Sequence, residues 1–449
     1  MAGLPEAFKN QMQELLGSGY EAFVRALDQP VPVSVRYHPL KPVTEVGEPI
    51  PWCRKGRYLS ERPSFTLDPI FHAGGYYVQE ASSMLLEQVV LQVTDPGRPV
   101  TALDLCGAPG GKSTHLISLL PAESFLVANE AIRNRAGLLS ENLEKWGYPN
   151  VLITQSDPSD FRRMPSYFDL ILIDAPCSGE GLFRKEPAAM EEWSSRQVEL
   201  CSVRQRRILS DTWGSLKPGG VMIYSTCTYN RKENQDNLQW MKETTGCNFL
   251  SIRLDPAWGV QEIHEGSCLG YQCLPHRVRG EGFFFSALRK PLGDGGSGLR
   301  PKDRLQYPSR TAMAEAENWL IPSGEYFFFH HGPQVRALPQ RHKTHLLAAL
   351  ENLRVVQAGT GVGEIKKNKI VPDHGLALSL ARNTDVLPGL PLDREQALAY
   401  LRMQPLDLPD AEKGFHVVEY EGLGLGWVNV LPGRINNLFP SSRRIRLGN

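Results

Sequence analysis

Apolar positions near the start of the chain recur at helical spacing. Phe8, Met12, Leu15, Leu16, Phe23 and Leu27 predict two short helices over about residues 6–27, broken at Gly17-Ser18-Gly19. Alternation through Val31-Pro32-Val33-Ser34-Val35-Arg36-Tyr37, followed by many prolines, predicts a small α+β unit ending near residue 75. A helix follows at about 79–93. From residue 101 the pattern changes to short apolar runs separated by helical stretches. Runs 101–106, 124–130, 151–155, 168–174 and 220–225 read as strands, with a last one at 282–288. Stretches after the first glycine-rich turn to 120, and at 131–146, 190–216 and 234–242, read as helices. Such alternation predicts an α/β fold, a doubly wound Rossmann-like sheet with helices on both faces.

Residues 291–298, Pro-Leu-Gly-Asp-Gly-Gly-Ser-Gly, have the composition of a flexible linker. Beyond it lie a strand-like piece at 325–329, helix-like stretches at 374–382 and 393–402, and a β-rich block around a turn at Leu423-Gly424-Leu425-Gly426. The expected division is therefore 1–75, 76–290, a linker at 291–303, 304–388 and 389–449.

Composition narrows the class. The 449 residues carry 49 basic and 49 acidic side chains, so the basic surplus that marks many nucleic-acid binders is absent. Local basic runs remain at Arg204-Gln205-Arg206-Arg207, Lys366-Lys367-Asn368-Lys369 and Arg443-Arg444-Ile445-Arg446. No apolar run approaches the roughly 18–20 residues of a membrane span, and the first residues do not resemble a secretory signal. The eight cysteines form no C-x-x-C and no metal-ligand spacing. A cytoplasmic, reduced, monomeric protein without membrane or metal is expected.

The chemistry concentrates at strand ends. Cys177 sits in Asp174-Ala175-Pro176-Cys177-Ser178-Gly179 and Cys227 in Ser225-Thr226-Cys227-Thr228, each directly after an apolar run. Ligands of open α/β sheets collect beyond the carboxyl ends of the strands, so both thiols should face one crevice. A lone cysteine is ordinarily a small buried hydrophobe; two at neighbouring strand ends point to chemistry. Cys106-Gly107-Ala108-Pro109-Gly110-Gly111-Lys112 fills the first strand-to-helix turn, where glycines admit a ligand to the backbone and the helix N-terminus offers N–H groups. A P-loop would need glycine where Cys106 stands. Glu130 at the second strand end suits ribose hydroxyls, and Asp157 after the third suits the amine of an adenine. In that order these features describe an S-adenosylmethionine site.

The three motifs resemble the signatures of the RNA 5-methylcytosine methyltransferases of the NOL/NOP/Sun type. Gly179-Glu180-Gly181-Leu182-Phe183-Arg184-Lys185-Glu186-Pro187, residues 359–367 and residues 372–377 resemble the ribosomal RNA branch that includes RsmF. The chain departs from that pattern at Tyr37-His38 and Asn436, outside the catalytic motifs. The resemblance implies methyl transfer to carbon 5 of cytosine in RNA, most specifically 16S ribosomal RNA, through a covalent adduct. It assigns attack at carbon 6 to Cys227 and a part in release to Cys177, roles the residues alone leave open. Asp174 would hold the base edge, and Lys112 a carboxylate or an RNA phosphate. Phe183 and Tyr229 are candidate stacking surfaces, with core packing as the commoner fate of such rings, and Arg184 and Lys185 are candidate contacts to the target strand, with plain solvation as the alternative. The N-terminal unit and a PUA-like C-terminal region would grip RNA. Rival readings are a transfer-RNA enzyme of the same family, a non-catalytic ribosome assembly factor, and a P-loop-like hydrolase.

Overall fold

A computed structural model describes residues 3–446 except 294, 297, 315, 367, 368 and 410. Two of these lie in the expected linker and two in the lysine run 366–369, so those features fall partly outside the described residues. The N-terminal helices Glu6–Leu16 and Tyr20–Leu27 are joined by a 3-10 turn at Gly17–Gly19. Strands β1 (Val33–Tyr37), β2 (Glu48–Ile50), β3 (Cys53–Leu59) and β4 (Tyr76–Val78) form an antiparallel sheet in the order β2-β3-β1-β4. Its last strand, β4, lies just past residue 75.

The central sheet is built on five parallel strands: β5 (Thr101–Asp104), β6 (Phe125–Asn129), β7 (Val151–Thr154), β8 (Phe168–Asp174) and β9 (Leu216–Thr226), ordered β9-β8-β5-β6-β7. Their continuous apolar runs follow from burial on both faces. Ala102, Leu170 and Leu172 enter one core and Leu103, Ile171 and Ile173 the other, as a two-residue repeat requires. The order reverses at β5, so a crevice opens above its carboxyl end.

Four differences from the sequence pattern have physical causes. The single helix expected at 190–216 is two, Pro187–Glu192 and Ser195–Trp213; the side chain of Ser194 caps the second by accepting from Gln197 N–H, and β9 already begins at Leu216. Antiparallel strands β10 (Asn248–Phe249), β11 (Gln261–Glu265), β12 (Cys268–Cys273) and β13 (Phe283–Arg289) extend one sheet edge. The β11–β12 hairpin was hidden because β11 is exposed and polar. After β14 (Tyr326–His331) and β15 (Gln334–Pro339), β16 (Val355–Ala358) leaves the C-terminal part and pairs antiparallel with β7 at the other edge of the central sheet. Strands β17 (Thr360–Lys366) and β18 (Lys369–Pro372) complete a small sheet with β14 and β15, and β19 (Gly389–Pro391), β20 (Gly414–Tyr420), β21 (Leu423–Leu431) and β22 (Arg434–Asn437) form the last one. The glycines expected to turn at 423–426 instead lie within β21; a Cβ on Gly424 would stand 2.1 Å from the Ala377 carbonyl, so that glycine admits a close backbone approach.

The N-terminal unit is fastened to the central domain by Arg36, which is almost wholly buried. Its guanidinium donates to Gln79 Oε1 at 2.8 Å and Thr114 Oγ1 at 2.7 Å, and lies 4.6 Å from the Trp146 ring. The departure at His38 serves the same junction: its Nδ1 accepts from the N–H groups of Leu40 and Lys41, leaving Nε2–H to donate to the Trp146 carbonyl at 3.0 Å. Replacing Arg36 by methionine strands two buried acceptors, so the midpoint of urea unfolding should fall by the equivalent of about 2 kcal/mol or more.

Candidate active site

The carboxyl ends of β5, β6, β8 and β9 meet around an open cavity of about 690 Å³. Of the residues singled out from sequence, Cys106, Ala108, Glu130, Asp157, Asp174, Cys177 and Cys227 line it. Gly107, Pro109, Gly110, Gly111 and Lys112 shape the turn behind it. A Cβ on Gly107 would lie 2.8 Å from Ser113 Oγ, and Gly110 has φ +117°, a conformation that favours glycine. Lys112, the residue that invites a P-loop reading, is committed elsewhere: its Nζ donates to Asp174 Oδ2 at 2.9 Å and sits 5.1 Å from the centre of the Phe283 ring. Burial alone would lower the Lys112 ammonium pKa, but Asp174 outweighs it and the net shift is upward.

One end of the site is acidic. Glu130 Oε1 accepts from Ile132 N–H at 3.0 Å, while its buried Oε2 accepts no hydrogen bond and has Arg135 Nη1 3.5 Å away. Asp104, buried beneath the turn, accepts from Ser113 Oγ–H at 2.6 Å through Oδ2 and leaves Oδ1 without a partner. Burial pushes its carboxyl up to about 7. Burial, reinforced by Asp104, Glu130 and Asp174, drives the Cys106 thiol well above its usual range, so it stays protonated. Asp157 is half-exposed and already engaged, capping the 3-10 turn Pro158–Arg163 through Ser159 N–H at 3.0 Å and pairing with Arg207 at 2.8 Å.

The other end holds the thiols. Cys177 Sγ and Cys227 Sγ are 3.1 Å apart, and this contact, with burial second, holds the Cys177 thiol well above its usual range. Asp174 beside them accepts from Ser225 Oγ–H at 2.8 Å. Two buried carboxylates lace the cysteine loops together. Glu180, three residues after Cys177, accepts from Thr228 Oγ1–H at 2.6 Å and from the N–H groups of Tyr229 and Asn230 at 2.8 and 3.0 Å. In the opposite sense Glu233, six residues after Cys227, accepts from Ser178 N–H at 3.1 Å, Gln205 Nε2 at 2.6 Å and Asn230 Nδ2 at 2.7 Å. Gly181 N–H donates to the Cys227 carbonyl at 2.8 Å, and no Cβ would fit there.

Neither Glu180 nor Glu233 was picked out as functional from sequence; the only signal was an acid held between Gly179 and Gly181. Three expectations are corrected. Phe183 and Tyr229 are 1% exposed and pack against Phe8 and Phe23 of the N-terminal helices, so they are core and not stacking platforms. Arg184 is a buried strut, paired with Glu281 at 2.7 Å and donating to the Gly280 and Ala26 carbonyls, so it does not reach a target strand. Lys185 is exposed.

Family models match along the chain: the 16S rRNA methyltransferase RsmB/F model at residues 91–289, the RsmF N-terminal domain at 4–81, the first RsmF C-terminal domain at 314–380 and the RsmF PUA domain at 388–445. The ribosomal RNA small subunit methyltransferase F of Shewanella loihica is 32% identical over 88% of this chain and 83% of its own length. The chain belongs to the RsmF family. Its relative of the same name from Aliivibrio fischeri is 32% identical over 97% of both chains. Among solved structures, a methyltransferase homologue from Pyrococcus horikoshii aligns with TM-score 0.55 and 27% identity over 64% of this chain and 96% of that one. NSun6 from Pyrococcus horikoshii, solved with SFG, shares the fold at TM-score 0.53 and 20% identity.

This RsmF-family chain is thus a methyltransferase that uses S-adenosylmethionine, with a Rossmann-like catalytic domain and a C-terminal PUA domain. The site fits that cofactor. Buried Glu130 Oε2, ion-paired with Arg135 at 3.5 Å, accepts no hydrogen bond within the chain and can take one from a hydroxyl.

Asp104 generates a pH dependence whose sign is opposite to that of a salt-bridged acid. Its folded-state pKa lies near 7 against an ordinary 3.8, so the folded chain holds a proton that the unfolded chain has lost between those values. That stabilising contribution is full below about pH 4 and is lost as pH rises to 7. In urea titrations of the cofactor-free protein, wild type should lose stability relative to Asp104→Asn by at most about 1.4 kcal/mol per pH unit across the window, with no further change above it.

Proposed function

We propose that this chain methylates carbon 5 of a cytosine in 16S ribosomal RNA through a covalent cysteine adduct. The observation that carries the reading is the pair of thiols in contact beside Asp174, at the opposite end of one cavity from Glu130. Bound S-adenosylmethionine supplies an electrophilic methyl group. Glu130 would accept from ribose hydroxyls through Oε2, which accepts no hydrogen bond within the chain. The turn from Cys106 to Lys112 would shape the site around the amino-acid end, with Cys106 and Ala108 on its wall. Asp157 would stand by the adenine.

Carbon 5 of cytosine is a weak nucleophile until a thiolate adds at carbon 6. The resemblance gives that attack to Cys227 and a part in release to Cys177, and the two thiols, 3.1 Å apart, are close enough to pass a proton between them. Asp174, its two oxygens fixed by Lys112 and Ser225, would hold the base at N3 and N4. After carbon 5 of that adduct has bonded to the methyl carbon and the bond from that carbon to the cofactor sulfur has broken, Cys177 would take the proton from carbon 5 and the carbon 6–sulfur bond would break, which restores the double bond and frees Cys227. The target base must be unpaired or flipped to enter the cavity. The N-terminal unit and the PUA domain would hold the RNA, and the enzyme would act as a monomer in the cytoplasm. All eight cysteines are free, and no described helix is long and apolar enough to cross a membrane.

A Cys177→Ser variant incubated with S-adenosylmethionine and small-subunit RNA should accumulate a protein–RNA adduct that survives denaturation. The adduct should disappear when Cys227 is also replaced. An adduct that persists in the double variant would overturn the assignment of Cys227. Separately, Glu130→Ala should weaken S-adenosylmethionine binding by calorimetry about tenfold or more, the loss of at least one charge-assisted hydrogen bond. Unchanged affinity would remove Glu130 from the cofactor site.

A further inference from the structure

A cytosine in this cavity is part of a polymer, so its neighbouring nucleotides must cross the cavity's rim. One rim is the helix Ser195–Trp213, whose Arg204, Arg207 and Ile208 line the cavity. Positions three, four and seven apart share a helix face, so Leu200, Val203, Arg204 and Arg207 form one stripe leading outward, with Arg196 continuing it by a further turn. Leu200 and Val203 are 54% and 66% exposed. The opposite face of the same helix is fully employed: Gln205 bonds to Glu233 and to the Pro176 carbonyl, and Cys201 and Leu209 are buried.

Charge on the stripe separates its residues. Arg207 is held by Asp157 and by Asp211, 3.6 Å away, whereas Arg196 and Arg204 have no ion pair among the described residues. On a chain whose charges balance, two uncommitted guanidinium groups flanking two bare aliphatic side chains at the mouth of a nucleotide cavity match a phosphate–base alternation. Across the cavity, Arg135 is not available in this way, being committed to Glu130 and to the Ala108 carbonyl.

We infer that the outer stripe of this helix, Leu200, Val203 and Arg204 with Arg196, is the docking surface for the single-stranded RNA flanking the target cytosine. A base face lies on the Leu200–Val203 pair, and Arg204 neutralises a phosphate next to the flipped nucleotide. This rests on the reading of the cavity as a cytidine site. It assigns to the catalytic domain a grip on RNA separate from those of the terminal domains, and it replaces the buried Phe183, Tyr229 and Arg184 as the local contacts.

The test compares wild type with Leu200→Gln/Val203→Gln and with Arg204→Gln, all on solvent-facing positions. Two measurements are made: anisotropy binding of a fluorescent single-stranded RNA oligonucleotide across a salt series, and methyl transfer to protein-free small-subunit RNA and to assembled subunits. Unfolding midpoint and S-adenosylmethionine affinity should match wild type in both variants. The aliphatic double variant should bind the oligonucleotide about tenfold more weakly with an unchanged salt slope, the value of about one aliphatic side chain covered from water. Arg204→Gln should weaken binding and reduce the slope of log affinity against log salt by about 0.7, the value for one phosphate on a single strand. For both, KM for RNA should rise more than kcat falls. Wild-type RNA affinity and slope in both variants would overturn the inference. So would a defect confined to assembled subunits, which would make the stripe a contact for ribosomal protein. Wild-type enzyme that binds RNA through the stripe yet methylates no cytosine in it would refute the proposed reaction and leave the docking surface standing.

Discussion

A carboxylate withdrawn from water is costly unless its oxygens find donors, and this site places two such carboxylates where the cost becomes positional information. Glu180 and Glu233 are both fully buried, and each takes at least one donor from the loop that carries the other cysteine, Glu180 from Thr228, Tyr229 and Asn230 and Glu233 from Ser178. Neither loop can shift without stripping donors from a buried charge. The contact between Cys177 and Cys227, the seat of Asp174 on the neighbouring strand end and the shape of the cavity all follow from that reciprocal lacing. The N-terminal helices contribute from outside: Gln11 donates to Glu180, and Phe8 and Phe23 pack on Phe183 and Tyr229, which brace the same loops from behind.

How much was legible in the sequence depended on whether a feature was local. The five parallel strands announce themselves because burial on both faces demands unbroken apolar runs, and residues 168–174 are a strand to the residue. The glycine turn and both cysteine motifs were equally plain, being contiguous. What escaped was set by partners far along the chain. Strand β11, with Gln261, Glu262 and His264, is too polar to read as part of a sheet, and β16 becomes a strand only because β7 offers it an edge. Arg184 and Phe183 sit within a motif that carries chemistry, yet their side chains answer to Glu281 and Phe8. Nothing in the spacing of Glu180 or Glu233 tells which way a carboxylate faces.

Charge balance misleads for a related reason. Several cations of this chain are internal fittings: Arg36 and Arg184 are buried, and Arg443 from the C-terminal basic run pairs with Glu144 on the catalytic domain. A count of basic and acidic residues mixes such struts with groups free to meet phosphate. For this molecule the informative quantity is which guanidinium groups remain uncommitted.

The strand that the C-terminal part lends to the central sheet has a practical corollary. Residues 355–358 satisfy the backbone N–H and C=O groups along the outer side of β7, and Gln357 also accepts from Ser140 on the helix above. A catalytic domain cut at the glycine-rich stretch after residue 290 would leave that row of polar groups open on a flat apolar strand, the kind of edge on which chains stack. The methyltransferase is therefore no detachable cassette. The domain between the catalytic core and the PUA domain doubles as the cover of that edge.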